Sequence, residues 1–166
     1  VILLRFILVA TSLLVGGCAT LACGVLKTGR EPALELAYCS AGDGPTVDIL
    51  RVYSGSYRKH IVLEFEPLGL RSKCRRLSES ESRELRSVIT DSSFLGALRD
   101  EFARGNHHGV HRAVLGIETS EGQVQRRPEV LSPRLIDPLS RVEEAFRREF
   151  PDAALPFSIR DYEPSQ

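Results

Sequence analysis

Hydrophobic and polar positions divide the chain into three regimes. From Phe6 to Leu26 there is no charged residue at all, and Arg5 is the one charge before it. From Ala19 to Pro45 no period lasts, because Gly24, Gly29, Pro32, Gly42, Gly44 and Pro45 interrupt it. Within that stretch Glu31 to Tyr38 has room for a short helical turn or an added edge strand. From Thr46 onward the pattern becomes regular. Thr46–Tyr53 puts Val47, Ile49 and Arg51 on one side and Leu50 and Val52 on the other, which reads as a strand. Ser54-Gly55-Ser56 is a turn signal. Tyr57–Glu66 then alternates Ile61, Leu63 and Phe65 with Val62, Glu64 and Glu66, the period-two pattern of a half-buried strand. Leu70–Leu77 forms a third, more polar strand after the Pro67-Leu68-Gly69 turn.

The period changes at Ser78. Ser78 and Glu81 match a capping box, and Leu85, Val88 and Ile89 line one face of a helix running to Thr90. Glu79, Glu81 and Glu84 favour the positive end of its dipole. A second helix restarts at Asp91 or Ser92, with Phe94, Leu95, Leu98 and Phe102 as its apolar stripe and Gly105 at its end. Asn106–Gly109 reads as a loop. Val110–Ser120 and Val124–Val130 read as a hairpin, and Pro128 confines the second strand to an edge or ends it early. Asp137-Pro138 predicts the start of a last helix, cap followed by first-turn proline, with Leu139, Val142, Phe146 and Phe150 at spacings of three and four. Summed, these elements predict an α+β fold: an antiparallel sheet of four to five strands with two to three helices on one face. The organisation expected is a leader over 1–17, a linker over 18–45, a domain over 46–150 and a tail over 151–166. In the tail the Leu155–Ile159 cluster packs back on the domain.

The leader carries the first chemistry. Positive charge, an apolar core from Phe6 to Val15 and small residues after it form a secretory signal. Val15-Gly16-Gly17-Cys18 resembles the lipobox of bacterial lipoproteins: an aliphatic residue, two small residues and a cysteine. The resemblance implies cleavage before Cys18, attachment of diacylglycerol to its thiol, palmitate in the mature product, and a lipid-anchored place in the cell envelope. Ala19 after the cysteine implies outer-membrane sorting in a Gram-negative cell. The competing expectation is an uncleaved single-pass anchor, since roughly 20 apolar residues span a bilayer. The glycines and cysteines crowding Gly16–Gly24 weigh against it.

Charge and cysteine content narrow the partners. The chain has 22 basic and 22 acidic residues; losing the leader removes Arg5 and leaves 21 against 22. That balance lacks the basic face nucleic-acid binding needs. Export permits disulfides. With Cys18 lipidated, Cys39 and Cys74 are the expected pair. Cys23 is then free or pairs with Cys39 instead, because spacing does not decide connectivity.

The order of elements resembles that of small exported bacterial domains of unknown function. Over Leu77–Leu98 and Val110–Phe146 it also resembles emfourin, a small bacterial inhibitor of thermolysin-like proteases. That resemblance implies an inhibitor or binding module for an exported protease. Among the residues themselves, His107, His108 and His111 are the one group with metal-ligand character, and zinc there implies a hydrolase. The HExxH spacing and its glutamate base are absent, and a polar loop before a strand accounts for the same residues. Glu64 and Glu66 share a strand face, as paired carboxylates do in glycosidases, although a solvated strand face is the commoner reason for such spacing. His60, between Lys59 and Ile61, reads as a surface histidine. The basic run Arg71–Arg76 has an anionic lipid surface near the anchor as one reading and a solvated, acid-balanced surface as the other. No G-x-S-x-G, P-loop, G-x-G-x-x-G or CxxC occurs. The expectation is a non-enzymatic, lipid-anchored envelope protein with a structural or protein-binding role and no cofactor. Its partners are then the membrane, through Cys18, and a protein of the envelope.

Overall fold

The computed structural model describes residues 23–42, 44–55, 58–105 and 113–162. The fold is α+β, as the periodicity predicts, but its antiparallel sheet has six strands. In chain order these are β1 (Glu31–Gly42), β2 (Gly44–Ser54), β3 (Val62–Glu66), β4 (Lys73–Arg76), β5 (Ala113–Thr119) and β6 (Gly122–Arg126). Their order across the sheet is β4-β3-β2-β1-β5-β6. Besides a short helical segment over residues 23–27, three longer α-helices accompany it among the described residues: α1 (Glu79–Ile89), α2 (Ser92–Arg104) and α3 (Pro133–Glu149).

The additional strand is β1, and it corrects the expected linker. Residues 31–42 are no tether; they form a central strand paired with β2 on one side and β5 on the other. Leu34, Leu36 and Tyr38 alternate there and are almost fully buried. Pro32 conceals the pattern. It lies at the strand's beginning, where the register shifts between Pro32 and Leu34, so the missing N–H costs little.

One sheet face packs against the helices. Leu50 and Val52 from β2, Leu63 and Phe65 from β3, Leu115 and Ile117 from β5, and Val124 from β6 join the β1 residues there. The helices contribute Leu85, Phe94, Leu98, Leu139, Val142 and Phe146 to the same core. At α1 the capping box forms as the sequence implies. Glu81 N–H donates to the Ser78 hydroxyl at 3.3 Å, and Ser78 N–H donates to the Glu81 carboxylate at 3.0 Å. At α2 the Asp91 carboxylate caps the N–H groups of Ser93 and Phe94 at 2.9 and 3.0 Å. Gly105 ends α2 at φ 70°, a left-handed value that favours glycine.

Two boundaries shift for identifiable reasons. α3 begins at Pro133, a turn earlier than Asp137, and Pro138 lies inside it. Leu135 and Ile136 are buried ahead of Pro138. Burying them is worth about 1.5–3 kcal/mol each, enough to offset the backbone hydrogen bond that Pro138 cannot make. The last strand stops at Arg126, and Pro128 opens a 3₁₀ turn over Pro128–Val130.

The tail docks on the domain. Phe157 and Ile159 are buried, and the Phe157 ring lies 4.9 Å from that of Tyr38. Glu143 in α3 secures this junction. It accepts from the Tyr38 hydroxyl at 2.9 Å, from Ile159 N–H at 3.0 Å and from Arg147 Nε at 2.8 Å. Burial, with the Glu143 carboxylate beside it, pushes the Tyr38 hydroxyl well above its ordinary pKa.

Candidate functional site

The sheet face opposite α1, α2 and α3 carries the chemistry. Alternation places Glu35 on β1, Arg51 and Tyr53 on β2, Glu64 and Glu66 on β3, and Cys74 on β4 together on that face. A helical turn over residues 23–27 lies across them. Arg51 is the hub. Its Nε donates to Glu35 at 2.5 Å, and its Nη1 donates to Glu66 and reaches Glu64 at 3.5 Å. Glu64 also accepts from Lys27 Nζ at 2.7 Å and from the Tyr53 hydroxyl at 2.7 Å. Lys27 Nζ stands 5.3 Å from the Tyr53 ring centre, within cation–π range.

Glu64 is therefore not the solvated carboxylate its strand position suggests. It is 2 % exposed, whereas Glu66 remains half-buried. Burial pushes the Glu64 carboxyl up, but the Lys27 and Tyr53 hydrogen bonds and the Lys27 and Arg51 charges outweigh it, so it titrates below the usual range. Tyr53 is driven the other way, by burial and by the carboxylate it faces. These groups hold charge in place. A carboxylate kept ionised on both oxygens is poorly matched to general acid work near neutrality.

The disulfide corrects the expected pairing. Cys74 is bonded to Cys23, with their Cα atoms 5.3 Å apart, and Cys39 is a free, half-buried thiol. Cys39 lies on β1 and Cys74 on β4, three strand spacings apart. At about 4.8 Å per spacing that is roughly 14 Å, well beyond the ~7 Å Cα limit of a disulfide. The turn over 23–27 carries Cys23 across the sheet to reach Cys74. Glu64 Oε1 lies 3.9 Å from Cys23 Sγ, so Cys23, Glu64 and Cys74 form one compact group. In the oxidised form its sulfurs are committed to each other.

One concavity borders the cluster at Glu35, and a second lies apart from it. Ala37 and Gly116 face each other across β1 and β5 and leave a depression of about 210 Å³ flanked by Glu35, Glu118, Gln123 and Gln125. A Cβ on Gly116 would stand 3.1 Å from that of Ala37, so glycine permits the close approach. An open cleft of about 960 Å³ lies beside Arg30, Arg58 and Arg86. Two of its arginines are engaged with backbone: Arg30 Nε donates to the His60 carbonyl at 3.3 Å, and Arg86 Nη2 to the Arg58 carbonyl at 2.8 Å. His60, expected at the surface, is half-buried, and its Nδ1 lies 3.0 Å from the Leu77 carbonyl.

Cys18, His107, His108 and His111 lie outside the described residues. Where that histidine segment departs, Arg126 and Glu101 form a buried pair at 2.6 Å, and Arg126 also donates to the Glu101 carbonyl at 3.1 Å and to the Gly105 carbonyl. Sequence reasoning paired Glu64 with Glu66 but missed Lys27, Glu35, Arg51 and Tyr53 as their partners. The alternating charges of three strands were visible, yet the strand order that joins them was not. Among the described residues no helix is long and apolar enough to cross a membrane. No known protein family, no curated protein and no solved structure matches the chain.

Proposed function

We propose that this chain is a lipid-anchored cell-envelope protein whose domain acts by binding rather than by catalysis. The observation that carries the reading is the juxtaposition of two cysteine chemistries. A lipobox ends at Cys18, and five residues later Cys23 is locked to Cys74. Disulfides persist in oxidising compartments, so a structural bridge beside a lipoprotein signal supports an exported, membrane-tethered domain. The open face supports a protein partner: Ala37 and Gly116 floor a depression there, and Glu118 and Gln123 beside it can hydrogen-bond a partner chain. The saturated ion cluster beside it supports a rigid platform.

Metabolic labelling with palmitate, followed by mass spectrometry of the mature N-terminus, tests the anchor. The expected product begins at a diacylglyceryl Cys18 and takes up label, and Cys18→Ser takes up none. An unlabelled chain recovered from the cytosol with Val1 still attached would sink the reading.

A further inference from the structure

We propose that the β4 edge of the sheet, with the turn leading into it, seats on the anionic head groups of the bilayer that holds the lipid anchor. The inference rests on the lipid-anchor reading above and adds which part of the domain meets the membrane. Three observations converge on this edge.

The first is reach. Four residues separate Cys18 from Cys23, so five chain steps span at most ~18 Å when extended. A domain of this size is roughly 35–40 Å across. The Cys23–Cys74 bond pins the near end of that tether to β4. The domain cannot turn this edge far from the bilayer.

The second is apolar exposure. Leu68 and Leu70 in the turn before β4 are 54 % and 71 % exposed, and Val25 beside Cys23 is 71 % exposed. The turn itself is ordered: Leu68 N–H donates to Asp48 at 3.1 Å and Leu70 N–H to the Pro67 carbonyl at 3.1 Å. Leucines held outward on a fixed turn suit shallow insertion at a head-group boundary.

The third is charge. Lys73, Arg75 and Arg76 are exposed on β4, an outer strand of the sheet, and alternation puts them on both of its sides. None of the three forms an ion pair among the described residues. Basic residues on an edge also deter pairing with other strands, but that role leaves the two leucines unexplained. A surface potential decays within about a Debye length, ~8 Å in physiological salt, so only an edge held close can use it. The short tether supplies that proximity and makes the second contact intramolecular.

The chain contains no tryptophan, so Leu70→Trp in the full acylated protein is a clean reporter. The protein is reconstituted in vesicles of phosphatidylethanolamine and phosphatidylglycerol in equal parts, with brominated acyl chains. Leu70→Trp should shift to the blue and lose most of its emission. Val130→Trp, past β6 in the 3₁₀ turn that packs beside β5, four strand spacings or about 19 Å from β4, should stay bright. Exchanging Lys73, Arg75 or Arg76 for Gln should weaken seating about fivefold each, and phosphatidylcholine vesicles should abolish it. Flotation with the vesicles reads the anchor separately. Protein that floats while Leu70→Trp stays as bright as Val130→Trp overturns the seating alone. Protein that does not float overturns the anchor, and the seating with it.

Discussion

At the scale of single residues, Glu64 decides how the open face responds to acid. Its native carboxyl titrates below the ordinary value of ~4.3. Across that window the unfolded chain binds more protons than the native one, so the stabilisation is complete above about pH 5 and disappears as pH falls through the native value. Glu64→Gln should remove this slope. It should also cost about 3 kcal/mol at neutral pH, because Lys27 and Arg51 lose a buried partner. Denaturant titrations of both proteins between pH 3 and pH 7, on the order of one per pH unit, check both expectations. Arg126 makes a second residue-scale case. Arg126→Ala leaves Glu101 buried and short of its main partner, an expected loss of about 3–5 kcal/mol in the same measurement. Neither role was legible in the sequence. An arginine on a strand and a glutamate on a helix read as surface residues until the register of β6 against α2 brings them together.

Among the elements, legibility followed local signals. The capping box of α1, the Asp91 cap and the Gly105 stop of α2 sit within a turn of the residues they serve, so the sequence alone located both helices. β1 was obscured because its evidence is distant. Its partners are β2, across a tight connection, and β5, beyond two helices. The disulfide is hidden for the same reason, since strand order and not spacing excludes Cys39. The bridge closes a loop 51 residues long. In the chain-entropy model that is worth about 4 kcal/mol, so Cys74→Ser should lower the melting temperature markedly under oxidising conditions. Cys39→Ser should leave it nearly unchanged, and a reductant should bring the parent down to the Cys74→Ser value. A parent protein indifferent to reductant would contradict the bridge. Gly105→Ala, which forces a side chain into φ 70°, should cost about 1 kcal/mol.

For the whole molecule, the fold class was readable and the domain limits were not. Period-two and helical patterns give an antiparallel sheet covered by helices on one face. They do not reveal that the domain begins before Pro45 or that it needs the tail. Phe157 and Ile159 fill the core beside Tyr38, and Glu143 is shared between tail and sheet. Removing residues 155–166 should therefore cost about 3–6 kcal/mol from the two buried side chains alone. Such a truncation is expected to bind a hydrophobic dye and to be cleaved by protease where the parent resists.

The pairing of β1 with β5 also bears on synthesis. Cys39 lies opposite Val114, so the strand made first waits for one made 75 residues later before its second side is closed. Contacts of such long sequence separation form slowly. A nascent chain stopped short of β5 thus remains open and threadable, the state in which a polypeptide passes a translocation pore. If the chain is exported as proposed, final closure of the sheet belongs to the far side of the membrane.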